Sequence, residues 1–138
     1  MIDLHNNIET RRVVAPIAGA TTHEGQIIDR QNFASVEFAI AHGVHTTSGV
    51  TVTPALLEGA ATGTLTTVAD ADILGTIAGA TMTATGSGSI DNKVAKLGYI
   101  GSKRYVRLNV TTSAASQVVA AVAILGNPRK PPKTAQIT

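Results

Sequence analysis

Apolar side chains in this chain recur mostly at every second position, the period of a strand buried on one face. In Ala34–Ala41, Val36, Phe38 and Ile40 share one face and Glu37 lies opposite. Arg104–Thr112 repeats the pattern, with Val106, Leu108 and Val110 inward and Tyr105, Arg107 and Asn109 outward. Val50–Leu57 alternates too, but Pro54 has no N–H to donate, which predicts an edge strand or a bulge there. Gln117–Leu125 is apolar on both faces; its short length, its Val and Ile content and the Gly126-Asn127-Pro128 stop predict a strand buried on both sides. Weaker strands are expected at Arg12–Ala15, Gln26–Asp29, Thr81–Thr85 and Lys93–Ile100, with turns at 19–25, 42–49, 59–63, 86–92 and 101–103. One helical turn is expected at Val68–Leu74, closed by Gly75.

About eight short strands with near-regular turns predict an all-β fold, an antiparallel β-sandwich or jelly-roll-like barrel. The expected organisation is an N-terminal arm over 1–12, a sandwich domain over 13–126, and a C-terminal arm over 127–138 rich in proline and cations. The length of 138 residues fits one domain. Alanine, threonine and glycine supply 53 of those residues, and the aromatics are four: Phe33, Phe38, Tyr99 and Tyr105. A core of such small side chains is thin, which predicts support from neighbouring subunits.

Charge divides along the chain. All nine acids lie in residues 1–92, beside three arginines, whereas residues 93–138 hold five lysines and three arginines with no acid. That split predicts a basic surface for nucleic acid, or contact between oppositely charged faces of proteins. Lys93, Lys96, Lys103, Arg104 and Arg107 cluster with Tyr99 and Tyr105 in the sequence. Single-strand binding needs more stacking rings than two tyrosines offer, so a charge-complementary protein interface is the expected reading, built on Lys103, Arg104, Arg107, Arg129, Lys130 and Lys133.

Catalytic and metal chemistry find little support. Zero cysteines exclude disulfides, thiolate zinc sites and thiol nucleophiles. Asp70-x-Asp72 offers two hard oxygen ligands, but no calcium-loop Gly and Glu follow, so the pair reads as carboxylates at the start of a helical turn. His42 and His45 flank Gly43 without the glutamate of a zinc-protease helix, and His5 and His23 stand alone. Ser87, Ser89 and Ser102 lie in Gly-containing loops without a nucleophile elbow or phosphate-loop lysine. The expectation is a protein that is not an enzyme and uses no cofactor or metal. The start of the chain has no apolar signal-peptide region and the longest apolar run is eight residues, so neither that export route nor a membrane-spanning helix is expected.

The segment Leu97-Gly98-Tyr99-Ile100-Gly101-Ser102-Lys103-Arg104-Tyr105-Val106-Arg107-Leu108 resembles small virion proteins of tailed bacteriophages, encoded near the major capsid protein. The resemblance extends through Asp3–Ile8, Gln26–Asp29, Ala69–Asp72 and Val122–Pro128, while the Gly-rich loops differ. It implies a capsid decoration or cement protein at the virion surface, made in the host bacterial cytoplasm, whose partner is the major capsid protein. A homo-oligomer, a trimer by analogy with cement proteins at threefold positions, follows from it. The alternatives are a base protein anchoring head fibres or spikes, and a carbohydrate or host-surface binding module. The last sits poorly with the absence of tryptophan.

Overall fold

A computed structural model describes residues 3–129. Ten strands run in chain order: β1 Ile8–Ala18, β2 Thr22–Asp29, β3 Phe33–His42, β4 Thr51–Ala61, β5 Thr64–Thr67, β6 Ile73–Leu74, β7 Met82–Thr83, β8 Val94–Tyr99, β9 Tyr105–Thr112 and β10 Val118–Pro128. They form two antiparallel sheets, one ordered β1-β10-β3-β8-β6 and the other β2-β9-β4-β5, with β7 added to the start of β4. The expected β-sandwich is what forms.

The alternating pattern sets the core. Val36, Phe38 and Ile40 of β3, Leu97 and Tyr99 of β8, and Val119, Ala121, Ala123 and Leu125 of β10 face inward from the first sheet. Val52 and Leu56 of β4 and Val106, Leu108 and Val110 of β9 meet them from the second. Small alanines on β10 leave room for the larger Phe38 and Leu97, so the layers interdigitate.

Pro54 sits where its missing donor does no harm. On the side of β4 away from β9, β7 pairs with Thr51 and Val52 and β5 pairs from Leu57 onward, so the proline falls in the gap between two short edge strands. A second proline, Pro16, lies where β1 shifts register against β10 between Val14 and Ile17. β1 is an edge strand, and the irregularity blunts its exposed side.

Several expectations require correction. The N-terminal arm is shorter than 1–12, because Ile8–Arg12 already pair with Val122–Gly126 of β10. Arg11 fixes that strand further by donating to the Asp29 carbonyl at 2.7 Å and pairing with Glu9 at 2.6 Å. At the other end β10 continues through Pro128, which is registered with Phe33. Residues 130–138, the bulk of the expected C-terminal arm, lie outside the described residues.

β10 is central in its sheet yet covered on one face only. Val118 and Val122 on its outer face are exposed. The continuous apolar pattern predicts burial on both sides, and among the described residues no second layer meets the outer face.

The expected turn at 59–63 begins later, since β4 runs to Ala61. The strand expected at 81–85 contracts to Met82–Thr83. Within Val68–Leu74 only Asp70–Asp72 are helical, as a 3₁₀ turn, and Gly75 follows with φ +90°. A four-residue helix at Ile77–Ala80, N-capped by the Thr76 hydroxyl accepting from the Gly79 amide at 2.9 Å, was not foreseen. Neither was β5.

Leu108 is fully buried and pairs with Leu56 in the centre of the second sheet. Truncation to alanine should cost about 2–5 kcal/mol of unfolding free energy. Denaturant melts at fixed oligomeric state check this, and a loss under about 1 kcal/mol would contradict the placement of Leu108 in the core.

Candidate functional site: a basic groove at one end of the sandwich

Three segments meet at one end of the sandwich: the β2–β3 turn, the β8–β9 turn and the end of β10. Asn32, in the left-handed region at φ 72°, turns the chain between β2 and β3, and its carbonyl accepts from the Arg129 amide at 2.8 Å. The Arg30 amide donates to the Arg104 carbonyl at 3.0 Å, which fastens the β8–β9 turn alongside. Between them runs a groove of about 240 Å³ lined by Arg30, Gln31, Asn32, Phe33, Ser102, Lys103, Arg104 and Arg129.

Tyr99 supports this groove from beneath. Its hydroxyl donates to the Glu58 carboxylate, on the opposite sheet, and accepts from the Lys103 amide at 3.0 Å. Burial and the neighbouring Glu58 carboxylate push the phenol up to about 12, so the proton stays on the tyrosine. The Arg30 guanidinium lies 5.0 Å from the Tyr99 ring centre and donates to the Gly101 carbonyl at 2.5 Å. Gly101 must lack a side chain, because a Cβ there would lie 2.4 Å from the Tyr99 hydroxyl.

Arg104 is oriented by a forked pair with Asp29, Nε at 2.9 Å and Nη2 at 2.6 Å, and stacks 5.0 Å from the Tyr105 ring centre. The Arg104 hydrogen bond, outweighing burial, holds the Asp29 carboxyl below its ordinary range, and the Asp29 hydrogen bond raises Arg104 in turn. Asp29 also accepts from the Gln31 amide at 2.9 Å, which shapes the turn. Four cations thus border the groove against this one carboxylate. The Lys103 and Arg129 side chains have no partner among the described residues and remain available to a ligand.

Of the six residues expected to form the interface, Lys103, Arg104 and Arg129 converge here. Arg107 does not. It projects from the outer face of the second sheet, the face that also carries Asp29 and Tyr105, but lies further along β9 and pairs there with Glu24 at 3.2 Å. Lys130 and Lys133 lie outside the described residues. Sequence reasoning missed Arg30, which falls in the acidic half of the chain and reaches the groove only through the pairing of β2 with β9.

Tyr99 is buried and unavailable for base stacking, which removes half of the aromatic content of the nucleic-acid reading. Lys96 points from the outer face of the first sheet, away from the groove. Ser89 is occupied in its own turn, accepting from the Thr85 amide at 3.0 Å. A second groove, about 280 Å³, opens along the β1–β2 seam between Arg12, Ile17, His23, Glu24 and Gln26, and no aromatic ring lines it.

No protein-family model and no curated protein sequence matches the chain. Solved structures share the fold. The exported protein XepA of PBSX superposes with a TM-score of 0.55 at 13% identity over 99% of this chain. This chain spans 42% of XepA's length. A chain of the infectious bursal disease virus Gx strain superposes with a TM-score of 0.52 at 11% identity, over 88% of this chain and 32% of its own length. A Clostridium thermocellum xylanase 10B containing a CBM22-1 module, complexed with xylohexaose, gives 0.49 at 10% identity over 95% of this chain and 28% of its own.

The histidines singled out in the sequence have separate fates. The ring of His45 is buried between Asp91, with Nδ1 2.7 Å from Oδ1, and the Gly86 carbonyl, 3.2 Å from Nε2. The ring of His42 is buried in the core, and neither nitrogen has a hydrogen-bond partner among the described residues. Burial disfavours its charged form and pushes the imidazole below its ordinary range. The neutral ring is therefore the one that folds. Above the unfolded imidazole's pKa of about 6.5 it carries no penalty; as pH falls below that value the unfolded chain takes up the proton first, and stability declines until the depressed folded value is passed. Unfolding free energy should drop between pH 7.5 and 5 more steeply in the wild type than in His42→Leu. Equal slopes in denaturant melts would contradict this.

Proposed function

We propose that this chain is a non-enzymatic, phage-related virion protein that binds the assembled capsid as a decoration or cement protein. The observation that carries the reading is the convergence of Arg30, Lys103, Arg104 and Arg129 on one groove with a single opposing carboxylate. Such a groove suits carboxylates displayed by a neighbouring protein, because two of its cations are pre-oriented by Asp29 and Tyr99 and two are free to pair.

The chemistry specifies an acidic protein surface better than the alternatives. Duplex recognition normally brings a helix or long ribbon to a groove, and here the cations sit on short turns. Sugar rings stack on exposed aromatic faces, and Tyr105 beneath Arg104 is the one tyrosine near this groove that is not buried.

Lys103→Glu with Arg129→Glu alters two cations whose side chains have no partner among the described residues and should leave the fold unchanged. Binding of wild type and double variant to capsids lacking this protein should differ by more than about tenfold at low salt, and wild-type affinity should fall progressively toward about 1 M salt. Affinity unchanged by both would remove the groove from the interface. Equally strong, salt-sensitive binding to naked DNA would favour the nucleic-acid reading, and retention on xylan or other glycans without capsid binding would favour the carbohydrate module.

A further inference from the structure

The outer face of the first sheet is apolar, and none of the described residues covers it. Its side chains follow from the register. Ile124, Glu37, Gly98 and Leu74 form one row across β10, β3, β8 and β6; Val122, Ala39 and Lys96 form the next, with Arg12 on β1; Ala120, Ala41 and Val94 form the third; Val118 and Ala18 form the fourth. Leu74 is 53% exposed, Val94 64% and Val122 41%. Apart from Arg12, Glu37 and Lys96, the face carries only short or apolar groups, so it is flat enough for another sheet to approach.

Glu37 is the anomaly on this face. Its carboxylate lies over Gly98, where a Cβ would come within 2.6 Å of Oε2, and Leu74 closes in beside it. It has no hydrogen bond or ion pair among the described residues, although Lys96 stands on the neighbouring strand one row away. Burial partly removes this carboxylate from water and pushes its carboxyl up from the ordinary range, while the nearby Lys96 charge works in the opposite direction. Lys96 is likewise without a partner within salt-bridge distance among the described residues.

We infer that this face pairs with a second copy of the chain, back to back about a two-fold axis, so that Lys96 of each copy meets Glu37 of the other. An axis lying in the face midway between Glu37 and Lys96 exchanges the two positions. On the sheet's grid of about 4.8 Å between strands and 6.7 Å between rows, the same axis passes close to Ala39 and Val122. Each of these then meets its own copy, and the small Ala39 permits close approach. The thirteen positions named project roughly 400 Å², so the pair buries roughly 800 Å², the size of a weak or transient contact. A weak, concentration-dependent dimer follows, and it leaves both basic grooves free. This inference does not rest on the capsid reading.

Sedimentation equilibrium of the full chain, from low to high micromolar, should show mass rising from 14.1 kDa to twice that value. Val122→Asp places like charges across the axis on an exposed position and should stay monomeric with an unchanged thermal melt. Glu37→Lys and Lys96→Glu should each weaken self-association by about tenfold, two symmetric pairs being lost. An equimolar mixture of the two should recover it, because opposite charges then face each other only between unlike copies. A wild type that is monomeric throughout or trimeric, or a mixture no stronger than its components, would overturn the inference.

Discussion

Tyr99 ties the two sheets together at the end where the cations gather. It belongs to β8, yet its hydroxyl reaches Glu58 on β4, and the same oxygen accepts the Lys103 amide. One side chain therefore joins the core to the floor of the groove. The burial that raises the phenol also fixes the direction of the bond, since the tyrosine keeps its proton and Glu58 accepts it. Arg30 lies on the ring and Gly101 gives the hydroxyl room, so the places of both depend on this one side chain. A net hydrogen bond to a charged group contributes about 1.5–3 kcal/mol, a sizeable share of a small domain's stability.

The rest of the sandwich explains why such a tie matters. With alanine, threonine and glycine abundant, much of β10 and β3 presents small side chains, and the inner layer depends on a few large ones: Phe38, Leu97, Leu56, Leu108 and Tyr99. The same economy of size leaves the outer face of the first sheet flat and apolar. Among the described residues, one side of the first sheet is enclosed by the second sheet and the other side is left open. The basic groove and the apolar face point in different directions, so one can meet a capsid or other acidic surface while the other meets a copy of the chain.

The strands were legible where alternation was strong. Val36-Phe38-Ile40 and Val106-Leu108-Val110 were read correctly because their outward neighbours are polar or small. β10 was misread on its outer face, since local sequence shows that a position is apolar but not whether a second layer exists to cover it. β5 and the first half of β1 were missed because Thr64–Thr67 and Ile8–Arg12 carry few apolar residues and are held by pairing with β4 and β10. At the site, Lys103, Arg104 and Arg129 were legible from the charge split. Arg30 was not, because its place depends on a contact between β2 and β9 across more than seventy residues, and Arg107 lies further along β9, beside Glu24 and outside the groove.

Hydrogen exchange in Tyr99→Phe tests most directly whether Tyr99 joins the core to the groove. Losing the hydroxyl should speed exchange at the Lys103 amide by about tenfold, while the amides of Val106 and Leu108, held by the strand ladder, keep their protection. Unchanged exchange at Lys103, or a uniform loss of protection across β9, would contradict that role.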